Sequence, residues 1–254
     1  MGSTATAFRV SSSFLNGLRA LFPENLSLRG STNLSEHQAL KNPWYIVAAV
    51  AFSASNRPEA VPQVFEHVLE EMKSSPCEEA DSKLLAQKLR EAIFKSGLIS
   101  GYPKAINALK SLHETMPEHL KDTVIRRNPN ASLSEYETNG QTLWRTFYGE
   151  QADSVQGLLD SIYPDMGWFS RTIGYGLVYG HTDIISSLET SYTLVAALIA
   201  GDTPQQIAWH LDSARRKGAT LEEIRAVREV SVRVAEFSGI QWRHPIPEVE
   251  PVQS

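Results

Sequence analysis

Apolar residues recur at three- and four-residue spacing along almost the whole chain, as in Leu84–Ser100, and strand-like alternation is scarce, so the pattern predicts helices nearly throughout. Asp202–Gly239 is the most clearly punctuated stretch. Asp202 or Thr203 is placed to cap a helix, and Pro204 suits its first turn. Arg215, Arg216 and Lys217 face the negative end of the helix dipole, and Gly218 supplies the stop. Thr220-Leu-Glu-Glu223 reads as a capping box opening a second helix that runs to Phe237 and ends at Gly239. A preceding helix spans roughly Leu188 to Ala200. Lys121–Gly140 lacks periodicity and carries Asn-Pro-Asn, and it reads as a linker or long loop.

The two sides of that interruption share a text. Leu89–Gly101 lies without gaps on Val227–Gly239, with Arg-Glu near the start and Ser-Gly at the end in register. Tyr45-Ile-Val-Ala-Ala-Val loosely matches Tyr192-Thr-Leu-Val-Ala-Ala-Leu, and Pro62-Gln63 before His67 echoes Pro204-Gln205 before His210. The expectation is an internal repeat folded as a pseudo-twofold helical bundle. Its parts are an N-terminal segment with a docking helix (1–42), a degenerate first repeat (43–120), a linker (121–141), a second repeat (142–245) and a tail (246–254).

Composition narrows the function classes. The net charge of -5 argues against a nucleic-acid partner, and no apolar run approaches the roughly 20 residues of a membrane-spanning helix. The single cysteine, Cys77, excludes an internal disulfide framework and points to a reducing, intracellular compartment, cytoplasmic or mitochondrial. Residues 1–23 hold Arg9 and Arg19 without an acidic residue, in the manner of a presequence, and Met-Gly-Ser-Thr-Ala-Thr fits a loose myristoylation pattern. The simpler reading is a helix whose stripe of Phe14, Leu18, Leu21 and Phe22 docks on the domain. The histidines are scattered without paired ligand spacing, so no metal is implied.

Candidate chemistry lies in the second repeat. His210 borders the Ile207, Leu211, Ala214 stripe, while Trp209 points nearly the opposite way, toward a partner subunit or ligand. Glu189 shares a face with Tyr192, Thr193, Ala196 and Ala200. A carboxylate beside core residues needs a partner or a proton, and His210 is a candidate across the turn at Gly201-Asp202. A Glu/His couple in a dry pocket can serve as general acid and base. Two plainer readings stand beside it: Glu189 as the acidic member of a capping box begun by Ser186, and His210 as a buried histidine satisfied by a carbonyl. Arg171, Tyr175 and Tyr179, four residues apart and followed by His181, either bind an acidic or phenolic substrate or simply pack.

The run Glu189-Thr-Ser-Tyr-Thr-Leu-Val-Ala-Ala-Leu, then Pro204-Gln-Gln-Ile-Ala-Trp-His210, then Gly218-Ala-Thr-Leu-Glu-Glu-Ile-Arg-Ala-Val, resembles the carboxymuconolactone decarboxylase family. The whole chain looks like its two-repeat fungal members. The resemblance implies an all-α fold like that of alkyl hydroperoxidase D, internally duplicated, and a homo-oligomer. It also implies that Glu189 and His210 match the family's acidic residue and histidine. Where hydroperoxidase members carry Cys-x-x-Cys, this chain has Thr203 and Gln206, which argues against thiol-based peroxide reduction. The implied activity is cofactor-free proton transfer by Glu189 and His210 on a small organic acid, lactone or phenol. Arg171, Tyr175, Tyr179, His181, Tyr192 and Trp209 would contact that substrate. The alternative is a non-catalytic helical oligomerisation or binding module.

Overall fold

The computed structural model describes residues 8–24 and 37–249, which are helical with no strand among them. In chain order the α-helices are α1 (Ser12–Arg19), α2 (Gln38–Lys41), α3 (Trp44–Ala54), α4 (Val61–Met72), α5 (Glu79–Ser100) and α6 (Tyr102–Thr115). They continue as α7 (Leu133–Tyr148), α8 (Ala152–Ile162) and α9 (Pro164–Phe169). A π-helix (Ser170–Tyr179) follows, and then α10 (Ser187–Ala200), α11 (Pro204–Arg216) and α12 (Leu221–Phe237).

Two apolar helices form the centre. Every residue of α3 is buried, as is all of α10 except Ser187 and Glu189. An element hydrophobic on all sides must be surrounded, and here each central helix packs on the other and on both α5 and α12. Alanines at Ala48, Ala49 and Ala51 and at Ala196, Ala197 and Ala200 keep the central helices slim. α1 docks on α3 and α4: Leu15, Leu18 and Phe22 are buried, and Phe14 stacks on Phe237 with centroids 4.6 Å apart.

The runs α3–α4–α5 and α10–α11–α12 turn alike. Each central helix is followed by a left-handed residue two positions before a proline: Asn56 (φ 56) before Pro58, and Asp202 (φ 55) before Pro204. These are the two non-glycine residues with positive φ among those described. The turn therefore equates Pro204 with Pro58, and not with Pro62 as the sequence echo has it. Both third helices stop at a positive-φ glycine, Gly101 (φ 100) and Gly239 (φ 89). Three residues beyond each, a side chain caps the end of its own run's central helix. Lys104 Nζ donates to the Ala54 carbonyl at 2.8 Å, and Trp242 Nε1 donates to Ile199 at 2.6 Å.

The segment expected to be linker is only partly one. α7 begins inside it, at Leu133, behind a capping box of Ser132 and Glu135. Its polar face hid it: Thr138, Thr142 and Thr146 lie on one side and each returns its hydroxyl to the carbonyl four residues back. α7 lies close against the π-helix. A Cβ on Gly140 would overlap the Arg171 carbonyl oxygen, and one on Gly176 would overlap that of Tyr136. Two bare backbones are needed where these helices touch.

Candidate functional site

The first half of α10 carries polar residues into the core, and helical geometry sends them in different directions. Its N-terminus is a capping box: the Ser186 hydroxyl accepts from the Glu189 N–H, and Glu189 Oε2 accepts from the Ser186 N–H at 2.7 Å. The other oxygen, Oε1, accepts from Lys88 Nζ on α5, also at 2.7 Å. One residue on, the Thr190 hydroxyl accepts from Lys95 Nζ at 2.9 Å, again from α5. Ser191 faces α11 instead and takes a 2.9 Å bond from Lys217 Nζ.

This arrangement separates Glu189 from His210. Two residues along a helix are about 200° apart, so Glu189 points away from the side on which Ser191 meets α11. No hydrogen bond joins Glu189 to His210, and the direct couple expected across the Gly201-Asp202 turn does not form. Nor is α11 capped by a side chain at its start. The Thr203 hydroxyl bonds back to the Leu198 carbonyl, and Asp202 Oδ2 accepts from the Arg243 N–H.

His210 enters a separate aromatic cluster built by α7, the π-helix and α11. Its ring lies edge-on to Phe147 and Tyr148, at centroid distances of 5.9 and 6.1 Å. Tyr175 and Tyr179, with rings 5.2 Å apart, belong to the same cluster, and the Tyr175 hydroxyl donates to that of Tyr148 at 3.0 Å. Trp209 is not free on the outside but meets the Tyr148 ring at 6.0 Å. Burial raises the pKa of Tyr148, Tyr175 and Tyr179, so these phenols stay protonated.

His210 itself is a neutral base. Burial first, then the charges of Lys217 and Arg216, pull its pKa down to about 3. Its Nδ1 is buried without a hydrogen-bond partner, so the carbonyl-satisfied histidine is not what forms at that nitrogen. Lys217 closes the site. Its Nζ stands over the face of Phe147 and donates to the hydroxyls of Ser191 and of Ser213 (3.4 Å). Burial, Arg216 and Lys95 hold its pKa well below the ordinary value. Arg216 donates two N–H groups to the Phe147 carbonyl, tying the end of α11 to the end of α7. Lys217, read from sequence as a dipole-facing surface charge, turns inward.

The other expected contacts lie apart. Arg171 forms an ion pair with Glu137 at 3.1 Å. Tyr192 sits in the main core, its hydroxyl buried without a partner and its pKa raised by burial and then by Glu223 and Glu189. His181 gives its carbonyl to Lys95 at 2.7 Å. Lys95, pulled to about 8 by burial against the opposing pull of Glu91, also reaches the Tyr179 carbonyl and so caps the π-helix. Arg127 grips Glu91 with two bonds of 2.6 and 3.2 Å and donates to the carbonyls of Leu177 and Val178. Lys88, Lys95 and Arg127 had no signal in the sequence. Among the described residues, no three His, Cys, Asp or Glu side chains gather as a metal site would require, and no helix is long and apolar enough to cross a membrane.

Two curated proteins resemble the chain along most of its length. The first, Peroxisomal protein 2 of Saccharomyces cerevisiae, is 27% identical over 82% of this chain and 92% of its own. The second, Peroxisomal protein 2 of Schizosaccharomyces pombe, is 29% identical over 85% of this chain and 97% of its own. No family model matches the chain.

Proposed function

We propose that this protein is a cofactor-free enzyme that moves a proton on a small organic acid, lactone or phenol, with His210 as the accepting base. One observation carries the reading: a buried, neutral imidazole whose Nδ1 has no partner packs on Phe147 and Tyr148, in an aromatic cluster that also holds Tyr175 and Tyr179 and has Lys217 over Phe147. A base needs a free lone pair. Phenolic donors held in place can stabilise a developing enolate oxygen. Glu189 enters as a positioning residue, because its two oxygens are taken by Lys88 and by the start of α10. Arg171, His181 and Tyr192 lie outside this cluster.

The shared turns support reading residues 43–120 and 142–245 as two repeats. The names of the two relatives favour a peroxisomal location over the cytoplasmic or mitochondrial one expected from the sequence, and a fluorescent fusion co-localised with a peroxisomal marker tests that. To test the function, the full chain is screened by thermal shift against organic acids, lactones and phenols, and turnover of the hits is followed by NMR. His210→Gln abolishes turnover without lowering the melting temperature if the reading holds. The edge-on packing of His210 on Phe147 and Tyr148 favours one other reading, a non-catalytic module. It predicts that no compound stabilises the protein and that His210→Phe is tolerated.

A further inference from the structure

The three lysines that reach the core are not equivalent. Lys88 has the Glu189 carboxylate at 2.7 Å, and Lys95 has two carbonyls, a threonine hydroxyl and Glu91 at 3.7 Å. Lys217 has neither carboxylate nor carbonyl, only two serine hydroxyls and the Phe147 ring. Its charged neighbours, Arg216 on α11 and Lys95 on α5, are both cations, and His210 adds no negative charge. An ammonium in that setting is costly, and the neutral amine is the cheaper form. The residue as a whole is half-buried rather than fully enclosed.

We infer that the Lys217 amine is a nucleophile that condenses with a carbonyl group of the substrate to form an imine. The Nζ lone pair attacks the carbonyl carbon, a C–N bond forms, and the oxygen takes up a proton. The carbinolamine then breaks its C–O bond, and the oxygen leaves as water carrying the protons lost by nitrogen. One carbonyl and one amine thus give one imine and one water, with no oxidant or reductant. The hydroxyls of Ser191 and Ser213, both within hydrogen-bond distance of Nζ, are the groups placed to pass those protons. A protonated imine withdraws electrons from the adjacent carbon, which makes loss of carbon dioxide or of a proton there easier. The substrate class is therefore a carbonyl-bearing acid. This deepens the proposed function and rests on it for biological meaning, while the chemistry of the amine is measured separately.

The experiment treats the full chain with acetaldehyde, an uncharged probe, and sodium cyanoborohydride at pH 7, and follows each lysine by peptide mass mapping. Lys217 is alkylated at least on the order of tenfold faster than Lys110, because each unit of pKa lowering gives about ten times more free amine. The Lys110 side chain, at 72% exposed, is the internal control. Arg216→Gln removes a neighbouring cation and slows labelling at Lys217 toward the control rate. Labelling at Lys217 no faster than at Lys110, or unaffected by Arg216→Gln, overturns the inference. If His210→Gln loses turnover while Lys217 stays unreactive, the base survives and the imine falls. If Lys217 reacts fast while His210→Gln keeps turnover, the imine chemistry stands and the assignment of His210 falls.

Discussion

Replacing Lys88 by methionine removes the cation that holds Glu189 and so probes the contact that keeps this carboxylate away from His210. The pair is 2.7 Å long, with side chains 7% and 16% exposed. Two unit charges at that separation attract by ~6 kcal/mol at an effective dielectric constant of 20, part of which offsets desolvation. Breaking a buried pair by removing one partner costs about 3–5 kcal/mol, and the residual exposure of Glu189 argues for the lower end. Lys88→Met should therefore lower stability by about 3 kcal/mol in urea unfolding at pH 7, with an unchanged slope. Glu189→Gln keeps a side chain able to accept from the Ser186 N–H while removing the charge. In the double variant the two costs should fall short of their sum by about 2 kcal/mol. Additive costs, or a loss below about 1 kcal/mol for Lys88→Met, would show that Glu189 is not held from α5.

Acid should destabilise the protein through His210. Its pKa is lowered from 6.5 to about 3 in the folded state, so the unfolded chain binds the extra proton between those limits. The stability is complete above pH 6.5 and is lost as pH falls toward 3, by up to ~1.4 kcal/mol per pH unit from this group. Denaturation at pH 7.5 and pH 5 should show a shallower loss in His210→Gln than in the parent, and equal losses would refute the buried neutral state. Gly176→Ala places a methyl group on the Tyr136 carbonyl oxygen and should cost at least about 1–3 kcal/mol in thermal unfolding, as overpacking does. An unchanged melting temperature would mean that α7 and the π-helix do not touch there.

Much of the architecture was legible because it is written in local signals. The Thr220–Glu223 capping box, the stop at Gly239 and the bounds of the helix after Ser186 follow from end chemistry, and they form as read. The matching Ser-Gly ends of the two halves became matching positive-φ glycines for the same reason. The start of α7 was missed because its buried residues other than Gly140, namely Trp144, Phe147 and Tyr148, lie in its later half while its start is polar. The site was less legible. Whether Glu189 meets a histidine or a lysine depends on which face of α10 it leaves, and a two-residue step settles that only once neighbours are placed. Lys88, Lys95 and Lys217 have long stems that can reach water or the core, and periodicity carries no sign of which. The capping reading of Glu189 was available from Ser186, whereas its bond to α5 was not.

The central claim is that His210 is held neutral by burial in the aromatic cluster, with Lys217 and Arg216 lowering its proton affinity further. The most direct test is NMR of isotope-labelled histidine in the parent and in Lys217→Met, with the His210 signal assigned from His210→Gln. The account predicts an imidazole that stays neutral from pH 8 down to about pH 5 in the parent and, at acid pH where Lys217 is protonated, gains proton affinity when that lysine is replaced. A His210 signal that titrates near its ordinary value in both proteins would contradict it.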